Sequence, residues 1–153
     1  AKGITTPFLR DNHSYPRAAG TVRGLHFPSP PHAQAKLARC GRGRVFDVAV
    51  DIRKGSPTFG RWTGVELSAE NGRQLYIPAG FLHGFVTLAP DCELLYKCSD
   101  VYAPDCDGAV RFDDPDLAVD WGIDPSKAVL SDKDRAAPLF RNFDTPFTYD
   151  PAP

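Results

Sequence analysis

Two of the four histidines, His26 and His83, are the side chains best suited to acid–base chemistry in this sequence. Each lies where a strand-like run meets a turn, and each has apolar residues on both sides. Imidazole titrates near neutral pH, so a histidine in such a place can serve as a general base, a general acid or a metal ligand. The alternative for either residue taken singly is a structural histidine that only hydrogen-bonds within the core.

A metal centre would need more ligands close to these histidines. Iron, manganese, zinc and copper sites combine imidazoles with carboxylates. His32 is separated from His26 by a segment with three prolines, and no acidic residue occurs from Phe27 through Phe46. The four cysteines form no Cys-x-x-Cys pair, so they do not indicate a structural metal site. We therefore predict reduced cysteines, no metal and no cofactor.

The chain has 153 residues, of which 42% are hydrophobic and 24% charged, and this balance is typical of a single globular domain. Eighteen basic side chains against nineteen acidic ones leave a net charge of -1, which excludes strong attraction to nucleic acid or to an anionic membrane. Every apolar run is shorter than the roughly 20 residues that span a bilayer, and no signal peptide opens the chain. We expect a cytoplasmic protein that binds neither nucleic acid nor membrane.

The elements that position these residues are predicted to be strands. Thirteen glycines and fifteen prolines argue against a helical bundle, while ten Phe, five Tyr and two Trp suit a β core. The clearest pattern is the alternation over 44–52. Its alternate side chains form one set of Phe46, Val48, Val50 and Ile52 and a second set of Val45, Asp47, Ala49 and Asp51. This period predicts an all-β fold, as a sandwich, a jelly roll or a small barrel.

The other strand candidates are short and separated by turn residues, and they are 21–27, 34–40, 60–67, 74–77, 85–88 and 93–100. In the first of them, regular alternation puts His26 on the same face as Val22. Residues 1–20 are expected to be irregular, and one helical turn is expected after Ser131. We interpret residues 1–153 as one β domain with a C-terminal segment wrapped around it.

Several motifs make the chain recognisable. The stretch 72–83 fits G-x5-P-x-G-x2-H, which resembles the second signature of the cupin superfamily of small β-barrels. Longer motifs, from about Pro7 to about Leu139, closely resemble the dTDP-4-dehydrorhamnose 3,5-epimerase family in order and spacing. They are Asp11-Asn12-His13-Ser14, Val22-Arg23-Gly24-Leu25-His26-Phe27, Ala33-Gln34-Ala35-Lys36-Leu37, the run 45–62, Leu67-Ser68-Ala69-Glu70-Asn71, the run 78–85, Leu95-Tyr96-Lys97 and Leu130-Ser131-Asp132-Lys133-Asp134.

This resemblance implies a cupin-like jelly-roll barrel with a short C-terminal helical segment, which forms a homodimer and uses no metal. It implies an isomerase that inverts C3 and C5 of dTDP-4-keto-6-deoxyglucose in the biosynthesis of dTDP-L-rhamnose. A dTDP-sugar is therefore the expected substrate. The family carries a few dozen residues before the position of Ala1, so we expect that this N-terminal segment is missing from the sequence, which otherwise forms a single epimerase domain.

The implied reaction needs a base, a stabiliser for the enolate oxygen and an acid on the opposite side of the sugar ring. By resemblance, His26 is the base and Asp134 is the carboxylate that orients it. Taken without the family, Ser131-x-x-Asp134 is a capping box at the start of a short helix. Tyr96 resembles the acid that reprotonates the sugar, and its alternative is a core tyrosine with a satisfied hydroxyl.

Three more residues are implied around the enolate oxygen. Lys36 projects from a strand, where a buried cation would hold this oxygen, and its alternative is an exposed strand lysine. His83 would add a hydrogen bond to the same oxygen. Asp47 is a carboxylate in an otherwise apolar β run, and it would hold His83 in one tautomer or form a salt bridge with Lys36.

Other residues are implied at the nucleotide. Arg23 resembles a contact to the diphosphate or sugar, Asn12 a contact to thymine and Tyr102 a residue that packs near the nucleotide. The alternative for all three is an ordinary surface position. Two positions depart from the family pattern, because Arg10 and Pro28 each replace a glutamine. The first change removes an amide capable of paired hydrogen bonds to thymine, which can shift base selectivity.

Three other functions stay open at this point. One is an epimerase that acts on only one carbon of a dTDP-4-keto-6-deoxyhexose, which deuterium wash-in at a single position would indicate. Another is a metal-dependent cupin oxygenase or isomerase, which stoichiometric iron or manganese would favour. The third is a non-catalytic nucleotide-sugar binder, which would bind dTDP but exchange no deuterium.

Overall fold

The computed structural model describes residues 3–101 and 103–151. Its strands are β1 (Arg10–Ser14), β2 (Val22–Pro28), β3 (Lys36–Arg42), β4 (Arg44–Asp51), β5 (Trp62–Ser68), β6 (Gln74–Ile77), β7 (Phe81–Thr87), β8 (Glu93–Cys98) and β9 (Asp107–Ala109). One helix, α1 (Asp132–Arg135), and short 3-10 turns at Pro104–Cys106, Pro125–Lys127 and Phe140–Asn142 complete the secondary structure of the described residues. Within these same ranges, no helix has the length and apolar character needed to cross a bilayer.

The strands form two antiparallel sheets, with orders β1-β8-β3-β6 and β5-β4-β7-β2-β9. The all-β prediction and the short helical segment after Ser131 are confirmed. Each of the seven predicted strand regions overlaps one of β2 to β8. The expectation that residues 1–20 are irregular is wrong for β1, which pairs with β8. Neither β1 nor the three-residue β9 has an apolar alternation, and sheet pairing alone makes them strands.

Two hydrophobic clusters hold the sheets in place. The first lies between the sheets and consists of Ala38, Cys40, Val45, Ala49, Leu67, Ile77, Phe85, Cys92 and Leu94. The second covers the outer face of the five-stranded sheet, where the C-terminal residues Val110, Phe112, Leu117 and Trp121 pack on Val22, Leu25, Phe27, Val48, Val50, Ile52, Leu82 and Val86. The predicted wrapping of the C-terminal segment is therefore observed.

The two faces of β4 carry side chains of different size and polarity. Its outer face carries the larger apolar side chains, which the C-terminal segment covers. Its inner face carries Val45, Asp47 and Ala49, which are small or polar. Because small side chains leave space between the sheets, the interior of the sandwich can hold polar groups and a cavity at one end.

A buried carboxylate, Asp51, anchors the turn after β4. It accepts hydrogen bonds from Arg53 at 3.0 and 2.9 Å, from Ser56 Oγ at 2.5 Å and from Thr58 Oγ1 at 2.6 Å. Burial raises the pKa of the Asp51 carboxyl, but these donors outweigh burial and hold the pKa well below its usual range. The Arg53 guanidinium also lies over the Tyr149 ring, and this cation–π contact holds Tyr149 against the turn.

We predict that Asp51→Asn lowers the free energy of unfolding at pH 7 by about 3 kcal/mol, because a buried ion pair loses one partner. A carboxylate with a depressed folded-state pKa stabilises the protein above its unfolded pKa, about 3.9, and this contribution is lost as the pH falls. The difference between wild type and variant should therefore shrink below about pH 4. Urea unfolding over pH 3–7 measures both effects.

The matched control is Asp113→Asn. Arg111 makes the same two-pronged contact to Asp113 at 2.9 and 3.0 Å, but both side chains are partly exposed. Water screens such pairs, so this variant should cost less than about 1 kcal/mol. Equal losses in the two variants would contradict the role given to burial at Asp51.

Candidate active site

A cavity of about 140 Å³ opens between the two sheets, and it is lined by residues of both. Its walls consist of Arg10, Asn12, His26, Pro28, Gln34, Lys36, Tyr96, Ala103 and Asp107. His26 comes from β2 of the five-stranded sheet, while Lys36 and Tyr96 come from β3 and β8 of the four-stranded sheet. The imidazole therefore reaches the cavity from the side opposite the phenol and the ammonium group.

The predicted face of His26 is wrong. Val22 and Leu25 both pack in the outer cluster, whereas His26 lines the cavity on the inner side. The pairing of β2 with β7 shifts register between Arg23 and His26, with Gly24 in the shifted stretch. A bulge of this kind moves every later side chain to the opposite face, and it turns His26 inward.

His26 forms an ion pair with Asp134, through the ring Nε2 and the carboxylate Oδ1. Asp134 is 2% exposed, and burial raises its pKa, but the hydrogen bonds from His26 and from the Gly24 amide outweigh burial, so the pKa lies below its usual value. The carboxylate is therefore charged and can only accept hydrogen bonds. His26 must donate from Nε2, which leaves Nδ1 as its basic atom.

The backbone of Asp134 belongs to the cap of α1, while its carboxylate makes the predicted contact to His26. Ser131 is the N-cap of α1, and its hydroxyl accepts a hydrogen bond from the Asp134 backbone N–H at 3.2 Å. The Asp134 carboxylate does not close a capping box. It points to β2, where Oδ2 accepts from the Gly24 N–H at 3.2 Å and Oδ1 contacts His26.

Gly24 is required by the close approach of β2 and β7. Its φ is +123°, a value that favours glycine. A Cβ at this position would lie 2.7 Å from the Gly84 Cα and 2.8 Å from the His83 carbonyl oxygen. Both distances are too short for any larger residue, so glycine alone permits the bulge that turns His26 inward.

His83 and Asp47 form a second imidazole–carboxylate pair. The ring Nε2 of His83 lies 2.6 Å from Asp47 Oδ1, and both side chains are buried. The His83 ring also packs edge-on against the Tyr96 ring, with centroids 6.1 Å apart. Of the two roles predicted for Asp47, the contact to His83 is the one that a hydrogen bond supports.

Lys36 extends along the inner face of β3, with its Nζ 5.6 Å from the centre of the Tyr96 ring. Burial lowers the pKa of this ammonium group, and the nearby Cys98, Asp47 and Asp107 oppose that shift. The alternative of an exposed strand lysine is therefore wrong. A cation held in this position can stabilise negative charge on a bound oxygen.

The Tyr96 phenol shares the cavity with His26, as a base and an acid acting on one bound sugar must. Burial raises the pKa of the phenol, as does Cys98, while the charges of Arg10 and Arg23 oppose the increase. The hydroxyl is therefore protonated at neutral pH and available as a proton donor.

The remaining predicted residues divide into three cases. Asn12 lines the cavity, and its amide donates to Cys98 Sγ at 3.5 Å. Arg23 is exposed and does not line the cavity, although its charge acts on Tyr96. Tyr102 lies outside the described residues.

Among the lining residues without a role assigned from the sequence, Gln34 and Asp107 have polar side chains. Gln34 could have been found, because it shares a strand face with Lys36 in a period-2 pattern. No sequence pattern indicated a role for Asp107, because β9 was not predicted. Asp107 forms an ion pair with Lys133 and so connects the lining of the cavity to α1. Within the described ranges, no three His, Cys, Asp or Glu side chains converge as a metal site would require.

Comparison with known proteins identifies the family of this chain. The family model of dTDP-4-dehydrorhamnose 3,5-epimerase matches residues 1–142. The chain belongs to the dTDP-4-dehydrorhamnose 3,5-epimerase family. A family member from Salmonella typhimurium is 52% identical over 137 residues, which are 90% of this chain and 74% of the relative.

Solved structures of the epimerase family have the same fold. A dTDP-6-deoxy-D-glucose-3,5-epimerase from Legionella pneumophila, in complex with dTDP-4-keto-L-rhamnose, is 47% identical with a TM-score of 0.91, over 97% of this chain and 78% of that one. ChmJ, a 3'-monoepimerase from Streptomyces bikiniensis in complex with dTDP-quinovose, is 41% identical with a TM-score of 0.81, over 88% of this chain and 67% of that one.

We predict that Gly24→Ala destabilises this epimerase-family chain more than Gly55→Ala does. Gly55 also has a positive φ, +82°, but a Cβ there meets nothing within 4 Å, so the variant reports backbone strain alone. At Gly24 the clash with Gly84 adds about 1–3 kcal/mol to that strain. Urea unfolding of both variants measures the difference, and equal losses would show that the β2–β7 contact is not tight.

Proposed function

We propose that this chain epimerises dTDP-4-keto-6-deoxyglucose at C3 and C5, the step that yields the L-rhamno sugar in dTDP-L-rhamnose biosynthesis. The observation that carries the proposal is the placement of His26 and Tyr96 on facing sheets around one cavity. Epimerisation removes a proton from one face of a carbon and returns a proton to the other. A base and an acid on opposite walls are the groups this exchange needs.

In the first step, the Nδ1 lone pair of His26 takes the proton from the carbon next to the C4 ketone. The electron pair of the C–H bond forms the C=C bond of an enolate, and the carbonyl π electrons move onto oxygen. Asp134 stabilises the imidazolium that results and holds the ring in place. The ketone itself accepts the electron pair, so we propose that the reaction uses no cofactor.

The enolate oxygen is stabilised by Lys36, and His83 can add a hydrogen bond from Nδ1 only as an imidazolium, because its Nε2 is held by Asp47. Lys36 lies beside the Tyr96 ring on the wall opposite His26, and the buried Asp47 fixes the His83 ring. Charge stabilisation in a water-poor cavity is far stronger than in water, because few solvent dipoles screen it. These two residues would act at C3 and at C5 alike, since one ketone activates both carbons.

In the second step, the Tyr96 hydroxyl gives its proton to the opposite face of the carbanion carbon. The C=C electron pair forms the new C–H bond, the carbonyl is restored, and solvent returns a proton to the phenolate. The raised pKa of Tyr96 keeps the hydroxyl protonated until this step. His26 then releases its proton to solvent, which resets the site for the second carbon.

We assign the nucleotide end of the substrate to Asn12, Arg23 and Tyr102. Asn12 lines the cavity with its amide, and the exposed Arg23 guanidinium suits a diphosphate outside it. Residues 1–153 act as one domain in this proposal. The four cysteines are all unpaired, which supports the cytoplasm as the compartment.

A reaction at one carbon only is the second candidate, and the similarity to the 3'-monoepimerase ChmJ supports it. Both candidates share the base, the cation and the acid. They differ in whether the sugar turns within the cavity to present its second carbon. Deuterium at both C3 and C5 of the product supports the double epimerase, whereas deuterium at C3 alone supports the second candidate.

We predict that wild-type protein in D₂O incorporates deuterium at C3 and C5 of dTDP-4-keto-6-deoxyglucose. His26→Ala should slow exchange about 10²–10⁴-fold, because no base remains. Tyr96→Phe should still exchange, because His26 is intact, but should form the epimerised product more slowly. Proton NMR of the recovered sugar separates exchange from inversion.

The control for this experiment is His13→Ala. His13 also pairs with a carboxylate, Glu93 at 3.4 Å, but it is half-exposed and does not line the cavity. Its removal should leave exchange at the wild-type rate. Product formation by His26→Ala at the wild-type rate would contradict the mechanism.

We propose further that the chain forms a homodimer. A groove of about 310 Å³ runs along the four-stranded sheet, and Asn12 and Tyr96 of the cavity lining also border it. Leu37 and Leu95 form its apolar floor, and charged residues such as Asp11 and Lys97 surround it. A mixed surface of this kind is typical of an interface between subunits.

We predict a solution mass of twice the chain mass by light scattering. Leu95→Glu should shift the mass toward that of one chain, because it places a charge on the apolar floor of the groove. A monomeric wild type at micromolar concentration would contradict the dimer.

A further inference from the structure

Two loops cross from one sheet to the other at the cavity. One joins β2 to β3 over residues 29–35, and the other joins β8 to β9. We call the described part of the second crossing, residues 99–101 and 103–107, the cavity wall. Ala103 and Asp107 of this wall line the cavity. The position of the wall therefore determines how closely the cavity fits what it binds.

The two ends of the cavity wall are fastened to the first loop by short hydrogen bonds. At one end, the Ser99 N–H donates to the Ala35 carbonyl at 3.0 Å, and the Ala35 N–H donates to Ser99 Oγ at 2.8 Å. At the other end, the Cys106 carbonyl accepts from the Ser29 N–H at 2.5 Å and from Ser29 Oγ at 2.9 Å. These bonds fix where the wall starts and ends.

Between those ends, a partly buried hydrogen bond connects the wall to the side chain of Gln34. The Gln34 amide Nε2 donates to the Val101 carbonyl at 2.9 Å, and Gln34 is 5% exposed. His32 also contacts Asp100, at 3.4 Å, but both side chains are partly exposed, so water weakens this pair. Because Gln34 also lines the cavity, its amide links the wall directly to the binding space.

We propose that Gln34 is a positioning residue, which holds the cavity wall against the bound nucleotide-sugar and so determines substrate affinity. This proposal rests on the proposed function. It assigns Gln34 no part in proton transfer. The reacting groups do not depend on its hydrogen bond, since His26 is held by Asp134 and the strands that carry Lys36 and Tyr96 are paired along their length. Loss of the Gln34 bond should therefore change binding and leave the chemistry intact.

The first test is Gln34→Leu, which keeps similar volume and removes the donor. We expect KM for dTDP-4-keto-6-deoxyglucose to rise about tenfold, the effect of one lost hydrogen bond, with kcat within about twofold of wild type. The control is Asn142→Leu, because Asn142 is an exposed amide residue that lines neither this cavity nor the groove proposed as the dimer interface. The control should match wild type in both constants.

The second test is Gln34→Glu, which keeps the length of the side chain and removes the amide donor. A carboxylate cannot donate to the Val101 carbonyl, and the Lys36 and Arg10 cations that line the same cavity favour the charged form of the introduced group. We expect the variant to bind dTDP about tenfold more weakly than wild type at pH 7.5, measured by calorimetry.

Two results would overturn the proposal. One is a Gln34→Leu enzyme with reduced kcat and unchanged KM, or with both constants unchanged. The other is a Gln34→Glu variant that binds dTDP as tightly as wild type, and this test decides if Gln34→Leu does not fold. A wild-type protein without deuterium exchange would instead overturn the proposed function. The dTDP affinities of the Gln34 variants would still test the positioning role of Gln34 separately.

Discussion

The contact between His26 and Asp134 joins residues 108 positions apart, and the second half of the chain is arranged to make it. Val110 pairs with the backbone of Leu25, and Val129 pairs with the chain on either side of Thr21, the residue before β2. α1 follows, and Asp134 of this helix contacts Gly24 and His26 of β2. Ser131 ends the extended run and caps that helix. These backbone contacts and the helix cap together restrict where the Asp134 carboxylate can lie.

The interior of this sandwich carries charges that an ordinary β core excludes. Uncompensated burial of a carboxylate costs several kcal/mol, so each acid must have donors close by. Asp134 has an imidazole and a backbone amide, and Asp47 has the imidazole of His83. Two imidazoles paired with carboxylates thus stand on adjacent strands, since His26 is the register partner of His83. Their rings are held rigidly, which is what proton transfer at a fixed carbon requires.

Much of the strand framework could be predicted from the sequence, because it rests on local patterns. The alternation over β4 and the turn residues around Gly43 need no knowledge of distant contacts. β1 could not be predicted, because its polar residues become a strand only by pairing with β8, more than 80 residues later. The direction of His26 was also beyond local patterns. Regular alternation assigns it to the face of Val22, and a bulge beside Gly24, where β2 lies close to Gly84, reverses it.

Asp47 and Asp51 show that local sequence patterns can explain one carboxylate of a strand and not another. Both lie on the same face of β4 and both are buried, so neither the alternation of the strand nor burial distinguishes their roles. The partners of Asp51 follow within seven residues, and a serine or threonine close after an aspartate is a local signal of a turn. The partner of Asp47 is 36 residues away on β7. A structural carboxylate can thus be recognised by its near neighbours, whereas a carboxylate of the site is defined by a strand that only the folded sheet brings beside it.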